Sequence, residues 1–318
     1  MKIKKAIITA AARGGRLYPV GDTVQKAMLP LADIDGVHKP VIQIIAEEAF
    51  ASGVEEICII CAPRDEERYV EAFTTLKNNL IHSYGGVDWA KSQAEKITNL
   101  LDRLHFVVQE ETLGFGHAVM CGQKFVGDDA FLLLLGDHLY RSGIEDINCA
   151  KQIMDLAIAE DCSVSAVNAT NEHLIGHYGT LTGKHFATHN GVYDIERIIE
   201  KPSISQAELE LQTAGMRVGH YLCFFGMHVL DAPIFSYLDE QMRQSKKGTD
   251  LQLTPALQDL AKHKKYLAKE VKGRRFNLGT RFGWLEAQLA FAQDGPHSEE
   301  VLSSIIEQLA YAKQKKLI

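Results

Sequence analysis

Three short runs constrain what this chain can fold into more than any other feature. Lys5–Ala10 (KAIITA), Glu56–Cys61 (EICIIC) and Ala130–Leu135 (AFLLLL) are apolar almost throughout rather than at every second residue. A strand of that kind has to be covered on both faces, as in a parallel sheet under helices; a sheet with one wet face reads as an alternation. His105–Gln109 (HFVVQ) reads as a further strand. Pro40–Ser52 carries apolar residues at helical spacing and stops at Gly53, Asp65–Asn78 reads as a second helix, and His117–Lys124 opens a third after a glycine loop. Strand and helix in alternation predict an α/β fold: a Rossmann-like, mostly parallel sheet with helices on both faces, binding its ligand at the carboxyl ends of the strands.

Beyond about residue 140 the pattern changes. Ile144–Glu160 is helical, Ser163–Ala169 strand-like, Tyr178–Arg197 rich in turns, His220–His228 strand-like again and Thr254–His263 helical. Small antiparallel β additions are therefore expected. Glu299–Lys315 is an amphipathic helix with Val301, Ile305, Ile306 and Leu309 on one face. No linker rich in Pro, Gly or Ser and no internal repeat divides the chain. The expected organisation is one domain over 1–292, with 293–318 forming a C-terminal helix that packs on that core or on a partner subunit, so self-association stays open.

The formal net charge of −7 gives a mildly acidic surface. A broad nucleic-acid footprint needs a basic face, so nucleic acid is not expected as a partner. The apolar stretch at Ala6–Ala12 is short and runs straight into Arg13, Gly14 and Gly15, which suits a buried strand feeding a loop better than a secretory signal. No run approaches the roughly 18 apolar residues that span a bilayer, so no membrane role is expected. Cys58 and Cys61 have zinc-like spacing but lie inside a strand run with no second pair, so core thiols in a reducing, cytoplasmic compartment are expected. The pairs His173/His177 and His185/His189 fall in turn and loop sequence and read as structural or solvated.

The loop after the first strand, Ala10-Ala11-Ala12-Arg13-Gly14-Gly15-Arg16, combines small residues that let backbone N–H groups approach a phosphate with fixed positive charge. On its own such a loop is more often a plain βα turn, since Gly-rich loops are common. It is neither a dinucleotide fingerprint nor a Walker loop, because no helix opens directly after the glycines and no Gly-Lys-Ser/Thr follows. A nicotinamide dehydrogenase, suggested by α/β alternation alone, is thereby disfavoured. Lys26, in Gln25-Lys26-Ala27-Met28-Leu29-Pro30, can act as a movable cation over phosphate oxygens or be a solvated loop lysine.

Taken in order, A-A-x-x-G-x-R-L-Y-P, K-x-M-L-P-L and K-P-V-I-Q resemble the nucleotidyltransferases that make nucleotide sugars, the sugar-nucleotide pyrophosphorylases. The likeness is strongest to the bacterial UTP–glucose-1-phosphate uridylyltransferases, with the glucose-1-phosphate thymidylyltransferases nearby. Gln109–Ala118 (QEETLGFGHA) resembles the family's base-reading loop, Leu135-Gly136-Asp137 its metal-binding strand end, and Tyr178-Gly179 and Glu200-Lys201-Pro202 its sugar-phosphate contacts. Val218–Tyr221, Leu251–Thr254 and Gly273–Gly279 follow in the family's order, so the match runs over roughly residues 3 to 292.

This resemblance implies a nucleotide-diphospho-sugar transferase fold and a defined site. Ala11, Ala12, Gly14, Gln109 and Gly114 would bind the nucleotide. Gly179, Glu200 and Lys201 would bind the sugar phosphate. Arg16, Lys26 and Lys201 would carry catalysis, and Asp137 and Asn277 would hold Mg²⁺. The implied substrates are a nucleoside triphosphate, UTP by likeness, and a sugar 1-phosphate, glucose 1-phosphate by likeness; the products are a nucleotide sugar and pyrophosphate.

Four positions depart from the family's pattern. Ala12 stands where a glycine is usual, Asp22 where the uridylyltransferases have a second lysine, His138 where an acidic or amide residue is common, and Asn277 where a second metal-binding aspartate is expected. Asn offers Mg²⁺ a carbonyl oxygen but no charge, which predicts weaker metal binding. These departures motivate a competing reading, a catalytically weak or inactive relative that binds nucleotide sugars or acts as a regulator.

Overall fold

A computed structural model describes residues 1–12, 23–246 and 248–315. Its first elements are β1 (Ile3–Thr9), β2 (Pro30–Ala32), β3 (His38–Pro40), α1 (Val41–Ala51), β4 (Glu56–Cys61), α2 (Asp65–Tyr84), α3 (Asp88–Asp102) and β5 (Leu104–Val108). There follow α4 (Phe115–Cys121), α5 (Gln123–Val126), β6 (Ala130–Leu135), β7 (His138–Ser142), α6 (Cys149–Glu160), β8 (Ser163–Asn171), β9 (Gly179–His185) and β10 (Val192–Glu200). The chain ends with α7 (Ile204–Glu210), β11 (His220–Leu230), α8 (Pro233–Gln244), α9 (Leu253–His263), β12 (Tyr266–Glu270), β13 (Gly273–Asn277), α10 (Gly283–Gln293) and α11 (Ser298–Lys315).

These elements form two compact units. The larger comprises Met1–Ala12, Ala46–Leu135 and Ser142–Gly273; the described residues of the smaller are 23–45, 136–141 and 274–315.

The larger unit is built on one mixed sheet in the order β5-β4-β1-β6-β11-β8-β12-β10-β9. β5, β4, β1 and β6 run parallel, as their apolar runs require. In β6 the side chains of Phe131, Leu132, Leu133 and Leu134 are all fully buried, so both faces of this strand are covered. Each such side chain contributes about 2 kcal/mol relative to exposure. The α/β class expected from the sequence is the one found, and the antiparallel additions enter through β11, which runs antiparallel to both β6 and β8.

A buried polar chain ties this second half together. Ser165 on β8 lies 2.5 Å from His228 Nδ1 on β11 and also hydrogen-bonds the hydroxyl of Tyr266 on β12. Burial holds the His228 imidazole down to about 3 and keeps it neutral. All six cysteines are free thiols, five of them buried, in line with core cysteines. Burial pushes Cys58 and Cys61 up to about 12, and residues three apart on one strand point to opposite faces.

Several boundaries differ from the sequence reading. α6 starts at Cys149 rather than Ile144 because the Asn148 side chain accepts from the Lys151 N–H at 2.8 Å and caps the helix there. α3 went unassigned, although Ala90, Ala94, Ile97 and Leu100 are buried at spacings of four and three.

In the smaller unit β2 pairs with β3 and β7 with β13. α10 packs against α11. Val301 and Ile305 on α11 are half-buried, while Ile306 and Leu309 stay exposed. Among the described residues no helix is long and apolar enough to cross a membrane.

Candidate active site

The smaller unit gathers Lys26, Asp137, His138, Asn277 and Gly279. Asp137 comes two residues after β6 and directly before β7, and its carbonyl accepts from the Leu278 N–H at 2.9 Å. That bond ties it to the turn after β13. Its carboxylate is clamped at both oxygens: Lys26 Nζ donates to Oδ2 at 2.7 Å and His138 Nδ1 to Oδ1 at 2.8 Å. Burial by itself would raise the carboxyl, but the bond and charge of His138 and then of Lys26 outweigh it and hold Asp137 well below the usual carboxylate range. The Lys26 side chain is 8% exposed and that of Asp137 27%, so the pair is shielded but reachable.

Asn277 Oδ1 accepts from the Gly279 N–H at 2.8 Å, a short turn that aims the amide oxygen inward. A methyl on Gly279 would sit 3.0 Å from that oxygen and 3.0 Å from Asp137 Oδ2. The missing side chain therefore leaves room beside two oxygens, each with a lone pair to spare. Such a set fits a hard cation that takes its remaining ligands from phosphate and water. Among the described residues no three His, Cys, Asp or Glu side chains cluster as a metal site, and these residues would offer a cation here one charged and one neutral ligand.

Two groups lie in the larger unit. At the end of β5, Gln109 is 4% exposed and its backbone N–H donates to the Cys61 carbonyl at 2.8 Å. Its side-chain amide donates to the Gly114 carbonyl at 3.3 Å and to His117 Nδ1 at 3.0 Å. Gly114 has φ of +98°, and a methyl there would stand 2.6 Å from the Leu251 carbonyl oxygen. Only glycine fits that position.

The other group is Gly179, Glu200 and Lys201. Glu200 Oε2 accepts from Thr254 Oγ1 at 2.6 Å and Oε1 lies 3.3 Å from Lys201 Nζ. Lys201 adopts a left-handed φ of +47° ahead of Pro202, a conformation that costs about 1 kcal/mol and turns the chain at the end of β10. Leu251, against Gly114, lies just before α9 and Thr254, against Glu200, in its first turn, so a single stretch of chain supports both groups.

The structure thus brings Lys26, Asp137 and Asn277 together, sets Gln109 beside Gly114, and sets Gly179 beside Glu200 and Lys201. Ala11 is buried and Ala12 exposed after β1; Gly14, Arg16 and Asp22 lie outside the described residues. Sequence reasoning gave no role to His117, Thr254 or Gly279. His138 was marked only as a departure, yet it is a partner of Asp137. The loop histidines go elsewhere: His189 to Glu160 and His185 to the Ala214 carbonyl.

Polar residues that directly follow β5, and others that closely follow β6, stand where strands of a parallel half-sheet end, as in nucleotide-binding α/β proteins. The comparisons with known proteins narrow that class. The family model described as nucleotidyl transferase matches residues 5–289, and the chain belongs to that family of enzymes. It is 31% identical over 317 residues to UTP–glucose-1-phosphate uridylyltransferase 2 of Streptococcus pyogenes serotype M3, covering 99% of this chain and 98% of that one. Its fold superposes on a UDP-glucose pyrophosphorylase complexed with UDP-glucose with a TM-score of 0.73 at 28% identity, over 92% of this chain and 99% of that one. A UTP-bound UDP-glucose pyrophosphorylase from Acinetobacter baumannii gives 0.74 at 25% identity, over 96% and 99%.

Proposed function

We propose that this enzyme transfers a uridylyl group from UTP to glucose 1-phosphate, giving UDP-glucose and pyrophosphate. The observation that carries the reading is the clamped Asp137 carboxylate, with Lys26 on one side and the Asn277 oxygen across the space left by Gly279. It is supported by relatives named for that reaction and by solved neighbours holding UTP or UDP-glucose.

In this reading a phosphate oxygen of the sugar attacks the α-phosphorus in line, and the pyrophosphate leaves from the opposite side. The protein contributes position and charge rather than covalent chemistry. Asp137 and Asn277 would hold Mg²⁺, which when bound neutralises phosphate charge. Lys26, already beside Asp137, shares its ammonium with the departing pyrophosphate oxygens. Arg16 adds positive charge to the triphosphate beside Ala11, Ala12 and Gly14. Gln109 and Gly114 take the base, while Gly179 and Glu200 take the sugar and Lys201 turns the sugar phosphate toward attack.

The test is pyrophosphate release from UTP and glucose 1-phosphate as Mg²⁺ is raised. Saturable, Mg²⁺-dependent release supports the reading. Silence across a full panel of nucleoside triphosphates and hexose 1-phosphates rejects it.

A further inference from the structure

We propose that His117 is a specificity-determining residue: together with the Gly114 carbonyl it holds the Gln109 amide so that only its carbonyl oxygen remains for the base, which selects a pyrimidine carrying a ring N–H, as in uracil and thymine, over cytosine. The inference rests on the proposed use of a pyrimidine triphosphate and deepens it.

A glutamine amide has two N–H donors and one carbonyl acceptor, and left to itself it can present either end. Here both donors are spent. One goes to the Gly114 carbonyl and the other to His117 Nδ1. Among the described residues Gln109 Oε1 receives no hydrogen bond. The amide cannot be turned over without cost, because that would set Oε1 against the Gly114 carbonyl, two acceptors face to face. Nor can that carbonyl rotate away. It accepts from the Ala118 N–H at 3.2 Å, and the loop is pinned on both sides, Leu251 N–H to the Leu113 carbonyl at 2.6 Å and Gly116 N–H to the Leu251 carbonyl at 2.8 Å. His117, in the first turn of α4, accepts at Nδ1 and therefore carries its proton on Nε2.

A nearly buried lone acceptor rewards a donor and rejects another acceptor, because an unpaired polar group away from water loses its hydration without return. Uracil and thymine present N3–H between two carbonyls. Cytosine presents an unprotonated N3. The glutamine alone does not make that distinction, since a free amide would turn to suit either ring. The Gly114 carbonyl opposes that turn, and His117 adds the second of the two bonds that hold the amide, a bond the turned amide keeps only if the ring moves its proton to Nδ1.

The test measures equilibrium binding of UTP, CTP and N3-methyl-UTP to the full-length protein and to His117→Leu and His117→Asn, with a thermal melt of each. Wild-type protein is expected to prefer UTP over both analogues. His117→Leu removes one of the two bonds that hold the amide, and the UTP-over-CTP ratio should fall about tenfold, the scale of one net hydrogen bond. His117→Asn keeps an acceptor in its side-chain carbonyl and should restore most of the ratio, which general loosening of the helix would not do. A ratio unchanged in His117→Leu, or lost equally in the Asn variant with an intact melt, overturns the inference. Turnover is read separately. Failure of the wild type to release pyrophosphate while the binding ratios behave as described counts against the proposed reaction alone; failure to bind any pyrimidine triphosphate overturns both.

Discussion

Around Asp137 the side-chain contacts carry charge, whereas around Gln109 they are neutral. The first region is a carboxylate held by an ammonium and an imidazole, with an amide oxygen across a gap. The second is an amide held by a carbonyl and a ring nitrogen, braced on backbone. Charge acts on phosphate whatever base is attached, while a neutral, oriented hydrogen bond distinguishes one ring from another. Under the proposed function, the difference implies a division of labour: the charged group would serve the rate and the neutral group the choice of nucleotide.

The largest effect expected is that of Asp137→Asn, which removes the charge without changing the shape. Turnover should fall on the order of 10³-fold, and the UTP-over-CTP ratio should stay as it was. Steady-state kinetics with both triphosphates reads the two numbers together. A methyl can then be added to each region in turn. Gly279→Ala fills the space beside Asn277 Oδ1 and Asp137 Oδ2, so the Mg²⁺ needed for half-maximal activity should rise about 100-fold with little change in melting temperature. Gly114→Ala meets the Leu251 backbone and a positive φ; it should cost about 2 kcal/mol of stability and raise the KM for UTP while the Mg²⁺ requirement stays put.

The charged region was partly legible in sequence because it sits on punctuation: Asp137 follows the run AFLLLL by two residues and Lys26 lies among apolar residues before a proline, while Asn277 came only from the family resemblance. The parallel half of the sheet was legible for the same reason, since strands covered on both faces leave no alternation to misread. The neutral region was half legible. Gln109 ends an apolar strand, but nothing about position 117 announces its bond to Gln109, which is made by the turn at Gly114 folding the chain back. Thr254 and Glu200 are 54 residues apart and meet only through tertiary packing, beyond the reach of any periodicity. β12 and β13 are short, and β13 carries mostly polar residues, so they left no signal of their own.

Asn277→Asp sharpens the comparison from the other direction. A second carboxylate beside Gly279 should lower the Mg²⁺ concentration for half-maximal activity about tenfold, measured by metal titration, and leave nucleotide preference unchanged. Smallest is the acid response. Asp137 is held below its ordinary value of 3.8, so its stabilising contribution is complete above that pH and fades as pH falls from there through the lowered value. Thermal melts between about pH 4 and pH 2 should therefore give a flatter profile for Asp137→Asn than for the wild type, while Gln109→Ala should follow the wild-type slope.

The most direct test sets Lys26→Gln against Gln109→Ala in one experiment, kcat and KM for UTP and CTP side by side. Lys26→Gln is expected to lower kcat about 100-fold for both triphosphates and keep their ratio, whereas Gln109→Ala should hold kcat within about threefold and erase the ratio. A ratio lost in the lysine variant, or turnover lost equally for both nucleotides in the glutamine variant, would contradict the division between charge and recognition.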